Sequence, residues 1–325
     1  MVAGELHLPL VTVIGEALID LAPNGTPHEF RALPGGSPFN VAVGLARLDI
    51  PTALMARLAD NAFGRLLRAH AIGEGIDLTS APSAHEPTTL AVVSVDADAR
   101  AQYDFYLEGT ADWQWTADEA RRLPQGTAAL HFGSIASWTE PGSSHIHDLI
   151  RGLHQRGEVL ISYDPNVRPQ LMGTPKTARQ LVERSVSIAH VVKASREDLD
   201  WLYPNLSIHR VAERWTEIGA NLVIVTDGAR GAYGYRPGRA RLHGPGRNVT
   251  VTDTIGAGDS FTAGLLSGLV RHDLHTPRRI RDCSTRALQE ILSEAVLVSS
   301  ITCERSGANP PRRADYSGSS GVHAT

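Results

Sequence analysis

Five short apolar runs, at residues 10–14, 128–132, 159–163, 190–193 and 222–225, do most to restrict how this chain can fold. They are near-continuous in Val, Ile and Leu rather than alternating, the pattern of strands buried on both faces. Several run out into Gly, Asp or Asn and lead to stretches with helical spacing, such as 177–187 and 211–219. Strand and helix in alternation predict an α/β domain around a mostly parallel sheet. Such sheets bind ligands at the carboxyl ends of their strands.

One region breaks the alternation. Residues 89–95 and 102–107 are strand-like and flank the polar segment Asp96-Ala-Asp-Ala-Arg100, a β-hairpin pattern. Residues 18–33 are also strand-like, with no helix of their own. Together, segments 18–33 and 88–109 predict a small antiparallel sheet projecting from the main domain. It reads either as a lid that excludes water from a site or as an edge extension with no part in binding. There is no internal repeat. The small, polar residues 311–325 read as a disordered tail after a single domain spanning 1–310.

Composition removes several function classes. The 325 residues carry a net charge of −4, which leaves no basic footprint for nucleic acid. No apolar run is long enough for a bilayer, so no membrane partner is expected. The segment Met1 to Pro9 lacks a basic start and an apolar stretch, so no secretory signal is expected. Cys283 and Cys303 are the only cysteines, too few for a disulfide framework and not clustered with His as a zinc site. A reduced, cytoplasmic enzyme is the expectation.

The chemistry concentrates in Thr254-Ile-Gly-Ala-Gly-Asp-Ser260. Phe261, Leu265, Leu266, Leu269 and Val270 follow at helical spacing, so Gly256, Ala257 and Gly258 fall at a helix start. Free N–H groups and the helix dipole favour an anion there, and glycine lets the backbone approach it closely. Asp259 falls in the first turn. A carboxylate beside an anion site makes sense if the anion is a transferring phosphoryl group and the carboxylate takes a proton from the attacking hydroxyl. Taken alone, the run reads equally as a glycine-rich turn with an ordinary acid at a helix start. No Gly-Lys-[Ser/Thr] follows, so it is not a Walker A loop, and Phe261 stands where a dinucleotide fingerprint needs its third Gly. Gly142-Ser-Ser-His is not a hydrolase elbow.

A second segment decides between these readings. Pro34-Gly-Gly-Ser-Pro-Phe-Asn-Val-Ala-Val-Gly-Leu-Ala-Arg-Leu48 and Asp253-Thr-Ile-Gly-Ala-Gly-Asp-Ser-Phe-Thr-Ala-Gly264 resemble the paired signatures of the ribokinase-like (PfkB) sugar kinases. Val13-Ile-Gly-Glu-Ala-Leu-Ile-Asp-Leu21 and Asp164-Pro-Asn-Val-Arg168 resemble the fructokinase and 2-keto-3-deoxygluconate kinase branch. The likeness is collinear from about Val11 to Pro310. It implies a three-layer α/β/α domain with a small β-sheet lid. The implied activity is transfer of the ATP γ-phosphoryl group to a hydroxyl of a small sugar, fructose first. The alternatives are 2-keto-3-deoxygluconate, a nucleoside, or a non-catalytic sugar or nucleotide sensor on the same fold.

The resemblance also assigns roles. Asp259 matches the catalytic base, and Gly256, Ala257 and Gly258 the anion hole. Asp20, Gly35, Gly36 and Asn40 match the sugar site. Ser37 is a candidate N-cap there, with Pro38 at the first helical position. Tyr103, with Phe105 or Tyr106, would come from the lid. Arg168 matches an arginine near the phosphates or an acidic substrate, or is a surface ion-pair residue. Asp164, at a strand end, would organise magnesium or water, or cap a helix. Ser195, Thr226 and Gly228, with Gly256 and Gly258, match the nucleotide side. Potassium is implied at Asp253 and the carbonyls of Ile255, Thr302, Arg305 and Gly307, an oxygen set suited to a hard cation. Magnesium is implied near Asp198, where the family often has Glu, with Glu197 as the alternative. A homodimer through the lid is implied by analogy.

Overall fold

The computed structural model describes residues 8–95 and 101–317. In chain order the strands are β1 (Leu10–Ile14), β2 (Leu18–Asn24), β3 (Thr26–Gly35), β4 (Thr52–Met55), β5 (Leu58–Ala59), β6 (Ser83–Ala84), β7 (Leu90–Val95), β8 (Ala101–Tyr106), β9 (Thr127–Gly133), β10 (Leu160–Asp164), β11 (Val191–Ser195), β12 (Leu222–Thr226), β13 (Gly231–Tyr235) and β14 (Leu242–Pro245). The main sheet has the order β14-β13-β12-β11-β10-β9-β1-β4. All neighbours from β4 to β12 are parallel, and β13 and β14 add an antiparallel edge.

The five apolar runs become β1 and β9 to β12, and their burial on both faces follows from the pleat. Along β12, Leu222 and Ile224 enter one core while Val223 and Val225 enter the other. The first core is closed by the helices Ser37–Arg47, Ala257–Arg271 and Thr285–Cys303, through side chains such as Phe39, Leu265 and Ile291. The second is closed by Gly142–Arg156, Pro175–Val186 and Ile208–Ile218, through Ile150, Val182 and Trp215. The result is the three-layer α/β/α architecture. Both helices expected from spacing are present. They begin two or three residues earlier than the periodicity suggested, because Thr174 and Ser207 cap them from outside the apolar pattern.

The second sheet has the order β3-β2-β7-β8. Its β7–β8 hairpin pairs antiparallel from Leu90↔Tyr106 to Val95↔Ala101, and the turn at 96–100 lies outside the described residues. The sheet is mixed rather than antiparallel, since β2 and β7 pair in parallel. Each of these strands leaves the main body in the same direction and hands the return to its hairpin partner, so the two outgoing strands lie side by side.

The expected tail also differs. Pro311 is buried, the Arg313 N–H donates to the Arg47 carbonyl, and 314–317 form a helical turn. Arg305 pairs with Asp315 at 2.8 Å, and Tyr316 Oη donates to Glu294. Polar composition concealed these anchors, which combine a buried proline, a backbone hydrogen bond and side-chain contacts with the body. Residues 318–325 of the expected tail, and 1–7 where a leader was sought, lie outside the described residues. Among the described residues no helix is long and apolar enough to cross a membrane.

Candidate active site

The carboxyl ends of β1, β9, β10 and β11 open into a cavity of about 660 Å³, bounded on the far side by the second sheet. Asp20, Gly36, Asn40, Tyr103, Phe105, Arg168, Asp253, Ile255, Gly256, Gly258 and Asp259 all line it. Residues separated by more than 200 positions therefore share one wall system. On β8, alternation turns Tyr103 and Phe105 inward, their rings stacked at 6.0 Å, while Tyr106 is 62% exposed. Asp20 is carried on β2, so two lid strands contribute to the site.

Asp259 sits in the first turn of Ala257–Arg271 and is buried. Its Oδ1 accepts from Ser37 Oγ at 2.7 Å and its Oδ2 from Asn40 Nδ2 at 2.9 Å. Burial raises its pKa, against which these two hydrogen bonds favour the ionised form. Ser37 is not the N-cap: Gly36 holds that place without a side-chain cap bond, and Ser37 is the first helical residue. Gly256 caps the Asp259 helix in the left-handed region at φ 73°, where an added Cβ would also meet Ala308 at 2.7 Å. The Ala257 N–H is spent on the Thr254 carbonyl at 3.2 Å. Among the described residues that leaves the Gly256, Gly258 and Asp259 amides without a partner at the helix start, and takes the Ala257 N–H out of the expected anion hole.

The sugar-side turn is shaped by two glycines. An added Cβ at Gly35 would come within 2.1 Å of Asp20 Oδ2, so the Asp20 carboxylate rests directly on that backbone. At Gly36, φ is 99° and an added Cβ would meet the Glu16 carbonyl at 2.9 Å. Burial pushes Asp20 up to about 6, opposed by Arg168 and reinforced by Asp259. Arg168 faces the cavity, but its Nη1 is committed to the Asn166 carbonyl, Asn166 Oδ1 and the Val167 carbonyl.

Two groups in this cavity escaped the sequence reading. Lys193, in the middle of β11, pairs with Asp164 Oδ2 at 2.8 Å, with the side chains 6% and 1% exposed. Its Nζ lies 3.0 Å from where a Gly258 Cβ would be, directly over the glycine turn. Burial would push the ammonium down, but Asp164 outweighs it and the pKa is raised. The signal was available, because a lysine inside a buried parallel strand is costly unless it is paired. Asp164 thus serves Lys193 and also accepts from the Asn166 N–H at 3.1 Å.

Glu16 is the other group. It is buried, lines the cavity, and accepts from the Ala136 N–H at 3.0 Å. Burial pushes it up to about 7, with nearby Asp112, itself pushed up to about 6 by burial, adding to the rise. A carboxyl with a higher pKa folded than unfolded binds its proton more tightly in the folded state. Its contribution to stability is therefore full below the ordinary value of 4.5 and declines as pH climbs toward about 7. The loss is on the order of 3 kcal/mol for such a shift. Melting curves should show stability falling between these values, and Glu16→Gln should flatten much of that fall. An equally steep decline in the variant would refute the assignment.

Some expected residues have other occupations. Ser195 and Asp198 form a capping box for Arg196–Leu202. The Asp198 oxygens accept from the Ser195 and Val167 N–H groups, both at 2.9 Å, and this carboxylate is not among the residues lining the cavity. Glu197 is exposed. Thr226 and Gly228 lie at the end of β12, outside the residues lining the cavity, next to Asp227, which Arg230 and Arg196 hold down at about 2. Asp253 Oδ1 accepts from the Ile255 N–H at 3.0 Å and Oδ2 from the Gly307 N–H at 2.8 Å, joining the loop before Gly256 to the loop after Thr302. The carbonyls of Thr302 and Gly307 accept from Arg305 and Asn309 N–H groups, and each keeps a second lone pair. One carboxylate among backbone carbonyls fits a monovalent cation. The Arg305 side chain itself turns away to Pro310 and Asp315.

The chain is similar to known proteins along nearly its whole length. The pfkB family carbohydrate kinase description matches residues 8–315. A fructokinase of Rhizobium leguminosarum bv. trifolii is 35% identical over 283 residues, covering 86% of each chain. A double mutant of the fructokinase from Vibrio cholerae O395, solved with fructose, ADP and potassium ion bound, superposes with a TM-score of 0.83 at 28% identity, covering 96% of this chain and 98% of its own. The aminoimidazole riboside kinase of Salmonella enterica superposes with a TM-score of 0.81 at 25% identity, covering 97% and 100%.

Proposed function

The chain belongs to the pfkB family of carbohydrate kinases, and from that premise we propose that it phosphorylates fructose with ATP, using Asp259 as the base. As a member of that family it is a phosphotransferase with an alcohol acceptor. One observation carries the finer reading: a single cavity joins the Asp259 carboxylate, the Gly258 and Asp259 amides and the Lys193 ammonium to the polar residues Asp20 and Asn40. Asp20, the Gly36 turn and Asn40 hold the sugar, and Tyr103 and Phe105 cover it. As the sugar oxygen bonds to the γ-phosphorus, its proton passes to Asp259. The bond from that phosphorus to the β–γ bridging oxygen breaks, and ADP leaves. The two amides and Lys193 hold charge on the transferring group, the kind of electrostatic help phosphoryl transfer needs.

The charge of the sugar end favours a neutral polyol over a sugar acid. Glu16, Asp20 and Asp259 line it, against Arg168 whose Nη1 is committed to its own loop. A 2-keto-3-deoxygluconate carboxylate would meet these acids. Asp253 with the carbonyls of Ile255, Thr302, Arg305 and Gly307 would hold potassium. Magnesium would be carried on the nucleotide phosphates and water rather than by Asp198. An ATP-consuming role goes with a cytoplasmic location. A second copy would pair across the lid, where Phe30 and Tyr106 are exposed.

ADP release over fructose, 2-keto-3-deoxygluconate and nucleosides tests the substrate. The highest kcat/KM is expected with fructose. A higher value for the acid or a nucleoside would overturn that choice. Silence for all, with fructose still raising the melting temperature, would make the protein a sensor.

A further inference from the structure

Ser37 departs from its expected place as a helix cap, and its hydroxyl has gone elsewhere. It begins the helix Ser37–Arg47, is 7% exposed, and donates at 2.7 Å to Asp259, which is 222 positions away in sequence. It makes no cap bond, and Gly36 before it is held by its positive φ and its packing on Glu16. The hydroxyl therefore does nothing for its own helix that the backbone does not already do. Resting on the reading of Asp259 as the base, we propose that Ser37 is a positioning residue for phosphoryl transfer. It fixes one oxygen of Asp259, so that the other faces the sugar hydroxyl and the carboxylate stays ionised.

The two donors on Asp259 divide the work. Asn40 lines the sugar cavity and is half of the substrate site, so its bond to Oδ2 can be exchanged for one to sugar. Ser37 also lines the cavity, and from the helix start its hydroxyl holds Oδ1 and anchors the carboxylate while that exchange occurs. A hydrogen bond to the charged form of a buried carboxylate opposes the desolvation that raises its pKa. The other charged or titratable groups around Asp259 are Lys193 from β11, Asp164 from β10, Asp20 from β2 and Tyr103 from β8. None of these hydrogen-bonds to Ser37 among the described residues, so removing its hydroxyl changes the base and leaves their contributions in place.

The test is the pH profile of kcat/KM for fructose in the full-length protein. Its acid limb reports the free enzyme's base. Ser37→Ala should move that limb upward by about one pH unit, the size expected for one lost charge-assisted bond. Above the limb, kcat should change less than tenfold and the fructose KM should hold. Ser37→Thr, which keeps the hydroxyl, should restore the profile, and Ser37→Cys, which keeps the volume with a weak donor, should behave like alanine. An unmoved acid limb in Ser37→Ala would overturn the proposal. So would a uniform drop at every pH with a lower melting temperature, the mark of a purely structural tether. Failure of the underlying reading is seen separately, as an Asp259→Asn variant that keeps its turnover.

Discussion

Asp259→Asn is expected to lower kcat for fructose phosphorylation by roughly 10²–10⁴ while leaving fructose affinity near its original value. The substitution is isosteric and touches one function, the capacity to accept a proton. The amide can still satisfy both partners: with its NH2 toward Ser37 the hydroxyl accepts and Asn40 keeps donating, and with its oxygen toward Ser37 the hydroxyl keeps donating and the Asn40 amide turns over. The sugar's remaining contacts with Asp20 and the Gly36 turn are not altered. Stability gives an independent check. Burial raises the Asp259 pKa, so a neutral amide there removes a charge the fold holds at a cost. The melting temperature should therefore stay level or rise. Steady-state kinetics, fructose titration calorimetry and a melting curve on one preparation decide the matter. Near-normal turnover would remove Asp259 as the base. A collapse in fructose binding would assign it to the substrate site instead.

The layers and the anion-binding helix start were readable because each depends on a local pattern. Unbroken Val/Ile runs leave a strand no solvent face, and glycines before an amphipathic stretch leave amides free. The lid hairpin was readable for the same reason, through two strand-like runs flanking a polar turn. What the pattern could not supply were contacts between distant positions. Whether Ser37 caps its own helix or crosses to Asp259 depends on how two helices meet, and Gly44 packing against Ala263 sets that approach. Ser195 and Asp198 show the reverse case. A capping box was legible in Ser195-Arg-Glu-Asp198, yet the resemblance drew both residues toward the nucleotide and metal. The direction of β7 relative to β2 was likewise invisible, since alternation is the same in parallel and antiparallel pairs.

The Lys193–Asp164 ion pair beside the glycine turn is where stability and catalysis separate most cleanly. Lys193→Met should lower kcat by roughly 10²–10³, the effect of deleting one donor to developing charge. It should also destabilise the fold by about 3–5 kcal/mol, because Asp164 is left as an unpaired buried carboxylate. One variant cannot tell a charge-stabilising lysine from one that merely neutralises Asp164. The double variant Lys193→Met with Asp164→Asn can. Asparagine keeps the acceptor for the Asn166 N–H and the partner for Thr262, while it removes the stranded charge. Urea unfolding of the double variant should recover most of the lost stability, since replacing both members of a buried pair is often close to neutral. Its turnover should stay low. If activity returns along with stability, Lys193 serves Asp164 alone, and the charge on the transferring group is held by the Gly258 and Asp259 amides without it.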